Sequence, residues 1–207
     1  PDLEGPPLLE TRELNLTTGE AIRTKTFWLL IFASSSQALI STALVFHQIS
    51  IFGTKGIDPG VAAIALTVMA VSSLIGTFFA GILSDKYPNR YILAGAQVVM
   101  IAAMLSTFTI TLPWHGLLYN GILGISGGLF MTTTSVIWAN YFGRKNLGSI
   151  RGLATTSMVG FAALGPMPFG LFFDRTGSYS TVIVLFLFLP VACGIAAFLA
   201  RPPKVKH

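Results

Sequence analysis

Charge is scarce in this chain. Only 10% of its 207 residues are Asp, Glu, Lys or Arg, against roughly a quarter in ordinary soluble domains. No charged residue lies between 26 and 54, 59 and 84, 91 and 143, 152 and 173, or 176 and 200. Runs of that length exclude a water-soluble domain. Hydrophobic residues at 53% and a mean hydropathy of +0.72 point to a bilayer instead. Cysteine is nearly absent too: Cys193 stands alone in the last apolar run, which excludes a disulfide framework. Three histidines (His47, His115, His207) and one cysteine fall at no metal-ligand spacing. The chain has no P-loop, nucleophile elbow or Gly-rich dinucleotide turn. No enzyme, no cofactor and no ATP-driven pump is expected.

What is present is hydrophobic length. A bilayer core takes about 20 apolar residues per helix, so four of the five charge-free runs hold one helix each. The run from 91 to 143 is too long for one, and Pro113-Trp114-His115-Gly116 divides it. The expected fold class is an all-α membrane protein of six transmembrane helices, at 27–52, 59–83, 91–112, 116–142, 149–173 and 179–199. Asp58 is placed to cap the second, with Pro59 in its first turn. Thr17-Thr18-Gly19-Glu20 is a capping-box pattern that predicts a short helix from Thr18.

The net charge of +5 sorts by membrane side, so it is no nucleic-acid footprint. Lys86, Arg90, Arg144, Lys145, Arg151, Arg201, Lys204 and Lys206 fall in one set of alternate connections and the tail. The other set holds only Lys55 and Arg175. The positive-inside rule makes the first set cytoplasmic, with both chain ends. Residues 1–26 carry five acids and no signal-peptide pattern. They are expected to be a cytoplasmic connection within a longer protein of the plasma membrane, and 201–207 a basic cytoplasmic tail.

One element occurs twice. Gly81-Ile82-Leu83-Ser84-Asp85-Lys86 closes one apolar run, and Gly170-Leu171-Phe172-Phe173-Asp174-Arg175 closes another 89 residues later. The same offset added to Phe27 gives Gly116, where the fourth helix is expected to begin. Three helices are an odd number, so the second unit enters from the opposite side. Two inverted three-helix repeats follow, a plan that transporters use.

Residues 81–90, Gly-Ile-Leu-Ser-Asp-Lys-Tyr-Pro-Asn-Arg, resemble the loop signature G-x-x-x-D-[RK]-x-G-[RK]-[RK] of the major facilitator superfamily, with Pro88 and Asn89 as departures. The resemblance implies the C-terminal half of a twelve-helix carrier. It also implies a cytoplasmic gating motif at Gly81, Asp85, Lys86 and Arg90, with Asp85 paired to a helix N-terminus or an Arg of the other half. Residues 141–152, which contain Gly143, Arg144, Arg151 and Gly152, are similar to the monocarboxylate and oxalate/formate branch. So are residues 170–179, with Gly170, Asp174 and Arg175 as the repeat counterpart, and the placement of His47. Against that branch, residues 61–83 contain neither Asp nor Arg, and 155–165 contain no lysine.

Intramembrane charge usually marks function, and this chain has none, so neutral polar residues become the candidates. Gln37, Ser41 and Gln48 form a stripe at helical spacing in the first helix, with His47 beside it. In the fourth, Asn120, Gly124, Gly127, Gly128, Met131 and Ser135 form a small and polar face continued by Trp138. The family plan implies that the first and fourth helices line a central cavity and the third and sixth lie outside. Residues 182–199 are apolar all round, as a lipid-facing helix should be. His47 suits a proton sensor or relay, a role that histidine commonly takes. Gln37 and Asn120 equally suit interhelical hydrogen bonds, and Gly124 with Gly128 suits close packing.

The expected function is a secondary transporter, symporter or antiporter, moving a small organic anion such as a monocarboxylate by alternating access. A proton or counter-substrate would be its coupling partner, and the N-terminal six-helix half its structural partner. An exporter of neutral or amphipathic compounds is the alternative in the same class. A non-transporting scaffold or receptor is the alternative in another.

Overall fold

The computed structural model describes residues 15–203. Lys204, Lys206 and most of residues 1–26 lie outside that range. Thr17 accepts from the Glu20 amide and Glu20 reaches back to the Thr17 backbone, closing the expected capping box that starts α1 (Thr18–Ile22). The charge-free runs then fold into six helices of membrane-crossing length, and no strand forms among the described residues.

The first span is α2 (Lys25–Phe46) followed by α3 (Gln48–Gly53). The expected continuous helix over 27–52 is therefore broken at His47, whose backbone turns to φ −92°, ψ 4°. The second span, α4 (Pro59–Lys86), begins as predicted: Asp58 accepts from the Gly60 amide at 2.7 Å. It continues three residues past its expected end. The third, α5 (Asn89–Ser106), stops short of residue 112 in a 3₁₀ turn at Thr107–Thr109. There the hydroxyls of Ser106, Thr107 and Thr109 each donate to a carbonyl three residues back, a local bonding mode that competes with the helix.

The fourth span, α6 (Pro113–Phe142), starts three residues before its expected Gly116. Pro113 occupies its first turn and His115 Nδ1 accepts from the Leu112 amide at 3.2 Å. The fifth divides into α7 (Leu147–Leu164) and α8 (Pro166–Thr176). Pro166 and Pro168 have no N–H to offer the carbonyls one turn back, so the helix breaks at Gly165. The sixth divides into α9 (Ser180–Phe186) and α10 (Phe188–Leu199), where Pro190 leaves the Phe186 carbonyl without its helical donor.

Packing makes the two triplets reciprocal. α4 lies along α6 and α7 along α2, so the second helix of each triplet rests on the first helix of the other. α5 packs on α6, α10 on α2, and α5 and α10 on each other. Glycines permit the closest approaches. A Cβ on Gly124 or Gly128 would strike the backbone of Met69 or Ser73 on α4, and one on Gly165 would strike Leu39 on α2. Gly124 and Gly128 therefore serve helix packing, whereas Gly127 faces open space.

The interior falls into two apolar clusters. One joins Phe27, Leu30 and Ala33 of α2 to Phe130, Ile137 and Phe142 of α6, at the end carrying α1. The other joins Ile40 and Leu44 of α2 to Tyr119 and Leu123 of α6, at the opposite end. α4 and α7 contribute little to either: only Ala62, Ala65, Gly76 and Ala80 of α4, and Ile150 and Ala154 of α7, are buried.

Candidate substrate pathway

Between the two apolar clusters lies a buried polar layer. On α2 it comprises Ser34, Ser35, Ser36 and Gln37, none more than 2% exposed. On α6, Ser126 sits between Leu123 of one cluster and Leu129 of the other. On α5, Gln97 sits between Ala96 and Met100 in the same way. Ser126 Oγ donates to the Ala96 carbonyl at 2.9 Å. With its proton spent there, it accepts from Gln37 Nε2 at 3.2 Å. Ser35 and Ser157 share a hydrogen bond of 2.9 Å between α2 and α7. The layer thus ties four helices together at mid-depth.

Its hydrogen bonding is incomplete. Gln37 Oε1, Ser34 Oγ and both polar atoms of the Gln97 amide have no protein partner. Buried polar atoms are nearly always paired, so this layer keeps capacity for water or a ligand. Sequence reasoning found Gln37 here and missed Ser34, Ser35, Gln97, Ser126 and Ser157. A signal was available for one of them, since adding the repeat offset to Gln37 gives residue 126.

The other candidates divide. Ser41 is half-buried in the next turn of α2. Gln48 does not continue the stripe of Gln37: it lies beyond the break, on α3, and donates to the Ala62 carbonyl of α4 at 2.9 Å. Asn120 is fully buried and donates to the Gly116 carbonyl one turn back at 3.1 Å. The side-chain carbonyl oxygens of Gln48 and Asn120 are unpaired. Ser135 and Met131 are exposed on α6. Trp138 does not join them. It stacks on Phe142 with ring centroids 5.9 Å apart and meets Phe27 edge-on, inside the apolar cluster near α1.

His47 sits where two helix breaks meet. Its Nε2 lies 3.0 Å from the Pro166 carbonyl, and Nδ1 lies 3.1 Å from the Tyr179 hydroxyl. A carbonyl only accepts, so Nε2 carries a proton. Tyr179 is also 2.9 Å from Ser50 Oγ, and the His47 ring stacks on Phe169 at 6.0 Å. The break in α2 is thereby bonded to the break between α7 and α8. Tyr179 was not among the sequence candidates.

The loop motifs lie at the two ends of the bundle. Asp85 and Lys86 are exposed at the end of α4, and Asp85 forms no ion pair among the described residues. The Arg90 guanidinium covers the Tyr91 ring at 4.7 Å and donates to its hydroxyl. Gly81 has no neighbour within 4 Å of a built Cβ, while Gly170 faces His47 Cε1 at 3.8 Å. Asp174 and Arg175 are exposed. Between α6 and α7, Gly143 adopts φ 86°, ψ 178°. The amides of Arg144 and Lys145 after it both donate to Asn15 Oδ1 at 3.1 Å. Arg151 and Gly152 are exposed on α7.

This architecture agrees with the comparisons. The chain is 33% identical over 135 residues to YfnC, an MFS-type transporter of Bacillus subtilis (strain 168), covering 64% of this chain and 31% of that protein. It is 30% identical over 123 residues to the glucose-6-phosphate exchanger SLC37A2 of Xenopus tropicalis, covering 56% and 24%. It is 26% identical over 167 residues to the multidrug resistance protein MdtG of Dickeya zeae (strain Ech586), covering 77% and 40%. The chain thus spans well under half the length of these relatives. Residues 26–207 match the Major Facilitator Superfamily as a whole. Six membrane-length helices in two reciprocally packed triplets, over the full matched range, leave one assignment: the chain belongs to the Major Facilitator Superfamily.

Proposed function

We propose that this chain is the C-terminal half of a secondary transporter that moves a small organic anion by alternating access. The observation that carries the reading is the under-bonded polar layer between two apolar clusters, at the junction of the triplets. Transporters of inverted-repeat design bind substrate near the midplane at that junction. The unpaired Ser34 hydroxyl and Gln97 amide have donors to offer an anion. The cations of the described spans (Lys25, Lys86, Arg90, Arg151 and Arg175) all lie near span ends rather than at the layer, so the charge that balances the substrate comes from an N-terminal six-helix half. That half covers the open faces of α4 and α7, and rocking against it exposes the layer to each side in turn.

An organic anion accords with the likeness to the glucose-6-phosphate exchanger SLC37A2, and a monocarboxylate with residues 141–152 and 170–179. The likeness to MdtG favours a second reading, an exporter of amphipathic compounds. Proteoliposomes containing the full-length protein separate the two. Saturable uptake of labelled lactate or glucose 6-phosphate, accelerated by the same solute inside, supports the anion carrier. Ethidium movement without anion uptake supports the exporter. No saturable flux of any of the three contradicts both.

A further inference from the structure

At the end of the bundle that carries α1, a hollow of about 400 Å³ lies among the end of α4, the start of α5, the end of α6 and Pro202. Three residues that line it have a buried polar atom without a partner: Ser84 Oγ, Asn89 Nδ2 and Arg90 Nε. Asn89 is only 5% exposed. Two of the three atoms can only donate, the third can do so, and Arg90 brings a full positive charge. α5 also starts here without a side-chain cap, because its N-cap is Pro88. The Tyr91 amide is spent on the Pro88 carbonyl at 2.9 Å, but the positive end of the helix dipole still favours an anion here. No Asp or Glu lines the hollow. The nearby Asp85 is exposed on α4 outside the lining, and the Tyr141 hydroxyl is already spent on the Ala200 carbonyl.

We propose that this hollow binds a phosphate oxyanion, held by Arg90, Asn89 and Ser84 at the start of α5. A tetrahedral anion offers several oxygens in different directions, which suits donors arriving from two helices. The Arg90 guanidinium is held ready by Tyr91, through the ring beneath it and the hydroxyl at 2.8 Å. Phosphate from solution and the phosphate of a lipid headgroup share this chemistry. The site is separate from the mid-depth layer, so it stands whether or not that layer carries substrate.

The test uses the purified full-length protein in dodecyl maltoside, a phosphate-free detergent. Its thermal midpoint is followed against inorganic phosphate at constant ionic strength, and separately against phosphatidylglycerol in mixed micelles. A saturable rise with either probe is expected. Arg90→Gln and Asn89→Ala should each weaken it about tenfold, the scale of a lost charge-assisted hydrogen bond, while Lys86→Gln leaves it within about twofold. Ser84→Ala, which keeps the charge and the Tyr91 contact, should weaken it severalfold and serves if Arg90→Gln does not fold. A response to phosphate identifies a soluble anion. A response to phosphatidylglycerol alone identifies a headgroup. No saturable rise with either probe, or an undiminished one in the Asn89 and Ser84 variants, overturns the site.

Discussion

Gln37 donates to Ser126 across the centre of the bundle, and the two residues are 89 apart, the interval that separates Asp85 from Asp174. Two residues that occupy the same place in two repeats can touch only where the axis relating the repeats passes between them. The Gln37–Ser126 bond therefore marks the pseudo-two-fold at mid-depth. In a membrane protein such a bond contributes about 0.6 kcal/mol on average. A double-mutant cycle of Gln37→Ala and Ser126→Ala, read by unfolding in detergent, should return a coupling of about that size. Transport should fall much further than stability in Gln37→Ala, because the layer is proposed to face the substrate. Equal losses in the two measurements would reduce Gln37 to a packing residue.

Gly124 and Gly128 let α6 approach the backbone of α4, and neither position has room for a Cβ. Overpacking costs typically about 1–3 kcal/mol, and here the obstacle is backbone rather than a movable side chain. Gly128→Leu should lower stability by at least that much. Gly127→Ala, which meets nothing within 4 Å, should leave the melting temperature unchanged. The same melting curves check both.

Gly143 holds a backbone conformation that is nearly exclusive to glycine (φ 86°, ψ 178°), and other residues pay about 1–3 kcal/mol to adopt it. Gly143→Ala should destabilise the protein by that amount. The turn is also tied to the segment before α1 through Asn15 and through the Leu16 amide on the Phe142 carbonyl. Limited proteolysis between α6 and α7 should accelerate in Gly143→Ala.

The Thr17 amide and hydroxyl both donate to Glu20, and these bonds, the backbone one foremost, hold its carboxyl below its ordinary value. A carboxylate with a lowered folded value stabilises α1 above its unfolded value and loses that contribution as pH falls through the folded one. Protection of the α1 amides from hydrogen exchange, taken as wild type over Glu20→Gln, should fall toward one in acid. A ratio that does not change with pH would remove the capping box from the account.

His47 bonds to the Pro166 carbonyl and to Tyr179, so it links the break in the first span to the break in the fifth. If that link couples the helices to proton movement, His47→Gln in the full-length protein should remove most of the uptake driven by an imposed proton gradient, and Tyr179→Phe should lower it partly. Undiminished proton-driven uptake in His47→Gln at normal expression removes His47 from coupling.

Spans, caps and repeat were legible because each rests on a local signal: charge-free length, Asp58 before Pro59, and Gly-x-x-x-Asp-basic at a fixed interval. The breaks were only half legible. Pro166, Pro168 and Pro190 account for two of them, since proline has no N–H for the helix, but the break at His47 carries contacts with residues 119 and 132 positions away that no local signal shows. The polar layer was less visible still. Serine is unremarkable in a membrane helix, and only the folded packing shows that Ser34, Gln97 and Ser126 share one depth. Trp138 illustrates the opposite error, since helical spacing placed it with Ser135 while its bulk places it against Phe27 and Phe142.

The central claim is that two three-helix units run in opposite directions, and cysteine labelling reads it directly. Lys86→Cys and Arg175→Cys are introduced singly into the full-length protein, with Cys193 and any other cysteines replaced. Intact cells are then exposed to a membrane-impermeant maleimide. The account predicts that residue 175 reacts from outside, and that residue 86 reacts only after the cells are opened. Reaction of both positions from the same side would contradict it.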